Sequence, residues 1–138
     1  MANEQEIQKK YVEYQTIEQH ISKLQEQLSV INQQIENIVT LAATLQELSK
    51  AKSGAKTYSQ IGPGVFVQTE LKENKNVLVN VGADVVVVKT IEETKTDVEK
   101  QLSELKGVVA NVTNEIEKFT LYYQNLQQEI KGMIEKKE

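Results

Sequence analysis

No cysteine, arginine or tryptophan occurs in these 138 residues, and there is one proline and one histidine. Without cysteine there are no disulfides, no thiolate zinc sites and no cysteine nucleophiles, and a reducing compartment is the natural setting. Without arginine the planar fork that reads guanine edges and grips phosphates is missing, which argues against sequence-specific nucleic-acid binding. Every base is a lysine, and 16 bases against 20 acids leave a net charge of −4. One histidine cannot by itself build a metal site. Aromatics are 5% and all hydrophobic residues 39%, thin for a compact globule but suited to the narrow seam of a helical coiled coil. The longest aliphatic run is Val85–Val88, far short of the roughly 20 residues that cross a bilayer. The opening "MANEQEIQKK" has no apolar leader core. A cytoplasmic chain without a membrane segment is expected.

What is present is a heptad. Ile7, Tyr14, Ile21, Leu28, Ile35 and Ala42 form one row, and Ile17, Leu24, Ile31, Ile38 and Leu45 the other. A 3.5-residue period held over four heptads predicts a coiled coil, because a free-standing globular helix drifts to 3.6. Asn3 with Glu6 offers an N-terminal cap, and Gly54 after Lys50 and Lys52 a C-terminal stop. A second arm carries Val98, Leu105, Val112, Phe119, Leu126 and Met133 in one row and Leu102, Val109, Ile116, Tyr123 and Ile130 in the other. Thr90 and Glu93 have the spacing of a capping box at its start. Gly107 and Gly132 fall off the seam, where each costs about 1 kcal/mol of helix propensity without opening a core hole. Arms of about 45 residues, roughly 65–70 Å each, around a compact middle predict a chain that turns back on itself with its arms antiparallel.

The middle differs in kind. Thr57–Ile61, Val65–Leu71, Asn76–Val81 and Val85–Lys89 read as strands, separated by "GPG", "KENKN" and "GAD". Gly62, Gly64 and Gly82 are placed to supply positive backbone angles in the tight turns. A strand with one wet face alternates apolar and polar residues, but "VFV", "VLV" and "VVVV" do not alternate. Four short strands cannot cover two apolar faces and their own edges. The arms are engaged with each other, so other subunits are the expected cover. Val65, Val67, Val77, Val79, Val81, Val86 and Val88 are the candidate assembly residues.

The fold class predicted is therefore mainly α with a small β module. Residues 1–54 form an N-terminal coiled-coil helix, residues 55–89 a double β-hairpin, and residues 90–138 a C-terminal coiled-coil helix. This layout, with "IGPGVFVQTEL" as a glycine-punctuated first hairpin and "VLVNVGADVVVVKTIEE" as a second running into a helix, resembles the alpha-type subunits of the prefoldin family. The resemblance covers essentially the whole chain, and Gln60 departs from the Pro that often precedes the Ile-Gly pair there. It implies an archaeal-style subunit of a hexamer with two alpha-type and four beta-type subunits, whose strands close a double β-barrel platform. It further implies capture of unfolded client proteins at the arm tips, without ATP, and their delivery to a cytosolic group II chaperonin.

In that arrangement both termini lie at the free tip, which would display Ile7, Tyr11, Tyr14 and Ile17 beside Tyr123, Leu126, Ile130, Met133 and Ile134. Tyr11 and Ile134 lie outside the strict rows and widen the apolar stripe. The competing reading makes all of these residues, Tyr11 and Ile134 included, ordinary paired seam positions. A rival function is a structural or filament-forming coiled-coil protein that oligomerises through its hairpins. A helical-hairpin nucleic-acid binder needs a basic stripe that neither arm offers. No enzyme is expected: no nucleophile–base pair stands out, Glu92–Glu93 suits a helix start, and "NVT" at 111–113 falls mid-helix. No cofactor or metal is called for, and His20 reads as a solvated helix residue.

Overall fold

The computed structural model describes residues 4–137, so the expected Asn3 cap lies outside the described residues. The elements are α1 (Glu4–Lys50), β1 (Lys56–Gly62), β2 (Val65–Glu70), β3 (Asn76–Gly82), β4 (Val85–Thr90) and α2 (Ile91–Lys137). Two 47-residue helices thus flank two hairpins, as the heptads and the valine runs predict. The chain divides into a terminal unit, made of the sequence up to Ile35 and from Leu105 onward, and a hairpin unit from Glu36 to Glu104.

Within the terminal unit the helix segments are antiparallel: Lys10 meets Glu129, Tyr14 meets Tyr123, and His20 meets Phe119. The heptad rows are the covered residues. Ile7, Tyr14, Ile17, Ile21, Leu28 and Ile31 are half-buried and Leu24 is buried; on α2 the row residues from Leu105 to Met133 are half-buried and Leu126 is buried. Burying a leucine in such a seam contributes about 2 kcal/mol. The glutamates, glutamines and lysines between the rows stay in water, so the same spacing supplies both the adhesion and the solubility.

In the hairpin unit Ile38, Leu45, Ile91 and Val98 are buried, and the helix ends are stitched by polar groups. α1 stops at Lys50, short of Gly54. The Asn74 side-chain amide, from the β2–β3 connection, donates to the carbonyls of Ala51 (2.8 Å) and Ser49 (3.4 Å). These are carbonyls that a helix end leaves without intrahelical partners. Lys95 Nζ reaches Ser49 Oγ at 3.1 Å. Gly54 (φ 85°) lies beyond the helix in the connection and donates its N–H to Leu71 O at 2.5 Å. α2 begins as its capping residues predict: Thr90 Oγ1 accepts from Glu93 N at 3.0 Å. Buried Thr94 returns a hydrogen bond to Thr90 O, and Ile91 N donates to Lys75 O.

The four strands form two separate two-stranded ribbons, β1–β2 and β3–β4. Their turns are built on one plan that the sequence conceals. Gln60 pairs with Phe66 and Gly62 with Val65, leaving Ile61 as a bulge; Asn80 pairs with Val86 and Gly82 with Val85, leaving Val81 as a bulge. The turns then diverge. Pro63 followed by Gly64 (φ 71°) has the order a type II turn takes. The second turn places Gly82, Ala83 (φ 52°) and Asp84 (φ 60°) all in the left-handed region, and Asn80 Oδ1 accepts from Gly82 N. Of the three expected turn glycines, Gly62 is a correction. It is the last residue of β1, paired with Val65, and its φ lies outside the left-handed range.

Two outcomes follow for the assembled protein, read as urea midpoints at fixed concentration. Thr90→Ala removes the acceptor for Glu93 N–H and is expected to cost about 1 kcal/mol, whereas Thr90→Ser leaves the midpoint nearly unchanged. Asp84→Gly relieves a left-handed non-glycine residue, a gain partly offset by glycine's freedom when unfolded. It should stabilise by about 0.5–1 kcal/mol.

Candidate interaction surfaces

Strand pleating sorts the hairpin side chains into faces. In β3–β4 the register sets Val77, Val79, Val87 and Lys89 on one face and Leu78, Asn80, Val86 and Val88 on the other. The first set is half-buried. On the second, Leu78 is 73% exposed and Val88 66%, with Val86 also exposed. Of the predicted assembly residues, Val77 and Val79 therefore point opposite to Val86 and Val88, while Val81 sits exposed at the bulge. This ribbon is apolar on both faces, as "VLV" and "VVVV" imply.

The first ribbon is not. Val65 and Val67 share their face with Thr57, Ser59 and Thr69, whose hydroxyls form a ladder: Thr57–Thr69 at 2.7 Å and Ser59–Thr69 at 3.0 Å. The opposite face carries Tyr58 and Phe66, both exposed, among Gln60 and Gln68. Sequence reasoning named valines only and passed over Tyr58, Ile61, Phe66, Leu78 and Val85, all exposed. The signal was available, because the middle residue of "VFV" and of "VLV" necessarily faces away from its two neighbours.

At the end of the terminal unit that carries Glu4 and Lys137, most of the predicted client-binding residues are seam residues in contact with the opposite helix. Leu126 is 2% exposed, and Ile7, Tyr14, Ile17, Tyr123, Ile130 and Met133 are half-buried. Tyr11 and Ile134 differ, at 50% and 47% exposed, as expected of positions outside the rows. The rings of Tyr14 and Tyr123 stack at 4.3 Å, Tyr11 stacks on Tyr14 at 6.2 Å, and the hydroxyls of Tyr14 and Tyr123 share a hydrogen bond at 2.5 Å. The Tyr14 hydroxyl and the loss of water hold the Tyr123 phenol well above the ordinary tyrosine value, at about 12. Around this pair, Tyr122 donates to the Glu13 carboxylate, and Lys10 bonds Glu129 at 3.1 Å. Those bonds push the Tyr122 phenol and the Lys10 ammonium upward. Being exposed, the ion pair adds little stability.

Elsewhere on the terminal unit, exposed Val30 and Val108 join Ile31 and Val112 along a groove of about 480 Å³, edged by Lys23, Glu26 and Gln27. His20, solvent-exposed as expected, also lies edge-on to Phe119 at 4.5 Å. Among the described residues no helix is long and apolar enough to cross a membrane.

Known proteins place this architecture. The family model for prefoldin subunits matches residues 17–136. Prefoldin subunit alpha of Methanococcus vannielii is 29% identical over 114 residues, covering 83% of this chain and 76% of that protein. Prefoldin subunit alpha of Archaeoglobus fulgidus is 23% identical over 130 residues, covering 94% and 95%. A cryo-EM structure of filamentous PFD from Methanocaldococcus jannaschii superposes with a TM-score of 0.73 at 18% identity, covering 83% of this chain and 95% of that one. At that identity it speaks for the fold alone. Helix, two hairpins, helix, with family likeness along nearly all of its length: this chain belongs to the prefoldin family, as an alpha-type chaperone subunit and not an enzyme.

Proposed function

We propose that this chain is the alpha-type subunit of a hexameric, ATP-independent holdase with two alpha-type and four beta-type subunits. The observation that carries the proposal is the open outer face of β3–β4, where Leu78, Val86 and Val88 meet water. Covering one such side chain, ~100 Å² of apolar surface, contributes about 2.5 kcal/mol. Each ribbon also has two unpaired edges, so strands from neighbouring subunits supply both the missing cover and the missing hydrogen bonds. Barrels built from the hairpins of six chains satisfy both needs, and Val65, Val67, Val77, Val79, Val81, Val86 and Val88 are the side chains that fill them.

Unfolded polypeptides are captured at the terminal ends of the helix pairs. Tyr11 and Ile134 offer apolar surface there at all times, while Ile7, Tyr14, Ile17, Tyr123, Leu126, Ile130 and Met133 supply more wherever the pair parts. Tyrosine and methionine suit a site with no fixed ligand shape, the one amphipathic and the other adaptable. Several weak sites on several subunits give avidity without specificity. In the cytoplasm the captured chain passes to a group II chaperonin. A second reading, assembly into filaments through the hairpins, is favoured by one observation, the filamentous structural neighbour.

Light scattering separates the two readings. The chain mixed with a beta-type partner is expected at the mass of a hexamer, whereas filaments formed by this chain alone would establish the alternative. Leu78→Glu with Val88→Glu places two carboxylates where the proposed cover sits, at a cost of several kcal/mol, and should leave single subunits. Removing residues 1–12 and 126–138 should preserve the hexamer but abolish suppression of client aggregation; full suppression by the trimmed hexamer would overturn the capture site.

A further inference from the structure

The predicted client-binding residues are of two kinds, and the difference has a structural cause. Tyr11 and Ile134 are open, but Leu126 is almost completely covered and Ile130 and Met133 are half-covered by the facing helix. Whatever parts the two helices at this end therefore controls most of the apolar surface that a client could use. The group best placed to resist parting is the tyrosine pair. Among all the seam positions, the only hydroxyl-bearing residues are Tyr14 on α1 and Tyr123 on α2, and the structure sets these two against each other. Their rings stack at 4.3 Å with planes 17° apart, and their hydroxyls are 2.5 Å apart.

A slip of one heptad would place either hydroxyl opposite an isoleucine row instead of its partner. A polar pair at one seam layer fixes register for this reason. The flanking groups reinforce the same closed arrangement: Tyr11 backs the Tyr14 ring, Tyr122 bonds Glu13, and Lys10 bonds Glu129.

We propose that Tyr14 and Tyr123 latch the terminal end of the helix pair shut, and that an unfolded polypeptide reaches Leu126, Ile130 and Met133 only when this latch opens. The inference rests on the reading of this end as the client site. The latch trades affinity for restraint: capture is weakened by the fraction of molecules that are open, and the apolar seam is kept from indiscriminate association while it waits.

The chain's lack of cysteine makes the test direct. In Tyr14→Cys with Tyr123→Cys, built into the assembled complex, oxidation joins the two helices at the latch and reduction releases them. Binding of reduced, alkylated lysozyme, a permanently unfolded probe, should weaken at least about ten-fold on oxidation and recover with reductant. Equal binding in the oxidised and reduced forms, with binding lost in the chain trimmed of residues 1–12 and 126–138, would sink the latch and leave the client site standing. Undiminished binding by the trimmed chain would remove both.

Tyr14→Phe provides a second line without a cross-link. It takes away one hydroxyl and should open the end enough to tighten probe binding roughly five-fold; unchanged affinity overturns the proposal. A spectroscopic signature accompanies it. Tyr123 ionises at about 12, held there by the Tyr14 hydroxyl first and by desolvation, with Glu18 adding to the shift. Glu13 on α1 bonds neighbouring Tyr122, and Lys10 pairs with Glu129 of α2. A phenol raised in the folded state contributes stability that is whole below its unfolded value near 10 and is lost as pH climbs through 12. In absorbance titrations on a Tyr122→Phe background, which removes the other raised phenol, Tyr14→Phe should move the last tyrosine step down toward 10, and a step that stays in place counts against the latch.

Discussion

A two-stranded ribbon has two faces and two edges, and β3–β4 offers aliphatic side chains on both faces. No arrangement of the ribbon alone can take those side chains out of water, because a sheet is covered only by another layer. The helices do not relieve the problem. Their apolar rows face one another within each unit, which is what makes the helices stable. One face of the ribbon, with Val77, Val79 and Val87, is already half-covered. The other, led by Leu78 and Val88, is open and carries no charge. The subunit is thus energetically incomplete, and its membership of an oligomeric family is the counterpart of that incompleteness.

The two ribbons meet the same constraint differently. In β1–β2 one face is lined by Thr57, Ser59 and Thr69, whose hydroxyls satisfy one another. Those hydroxyls need no further partner, but the same face also carries exposed Val65 and Val67, so only part of it can stay wet without penalty. β3–β4 has no comparable ladder. The consequence is an asymmetry in what each hairpin demands from its surroundings: the first has one mixed face, where Val65 and Val67 stand among hydroxyls, and one led by Tyr58 and Phe66, whereas the second is aliphatic on its outer face as well as its inner one. The turns carry the same contrast. Pro63-Gly64 adopts its turn without strain, while Ala83 and Asp84 accept a left-handed backbone that glycine would adopt more readily. The ribbon that depends most on its neighbours is also the one with the less favourable turn.

The helices were the most legible part of the chain. A period of 3.5 residues names its own covered positions, and each predicted row residue from Ile7 to Met133 is half-buried or buried. The cap at Thr90 was legible too, since a capping box is a local pattern with one geometric solution. Four things were not legible, each for a physical reason. Asn74 closes the end of α1 from a loop more than twenty residues away, and no local pattern records a tertiary hydrogen bond. A glycine beside a proline usually marks a turn, which predicts a positive angle at Gly62; the bulge at Ile61 puts that residue in the strand instead. Leu78 and Phe66 are exposed because face alternation, which valine content does not reveal, decides which strand residues meet water. The stacking of Tyr14 on Tyr123 needed the antiparallel register, which heptads permit but do not specify.

The proposed roles of the two surfaces account for valine in the hairpins and for tyrosine, leucine and methionine at the terminal end. β-Branched side chains are already restricted before they bind, so burying them costs little entropy and rewards a single fixed geometry. That suits a permanent interface between known partners. Met133 and Leu126 retain more rotamers and can conform to varied surfaces, which suits transient contact with chains of no fixed shape. Such a surface has to be restrained when idle, because what binds many partners also binds copies of itself. A seam that covers it with one facing helix supplies the restraint, and the hydroxyl pair between Tyr14 and Tyr123 sets how firmly it holds. An all-aliphatic layer at that position would offer no preference for one register over another. The two tyrosines turn a seam that any neighbouring heptad could satisfy into one that closes in a single place and, being joined by one hydrogen bond, can also open there.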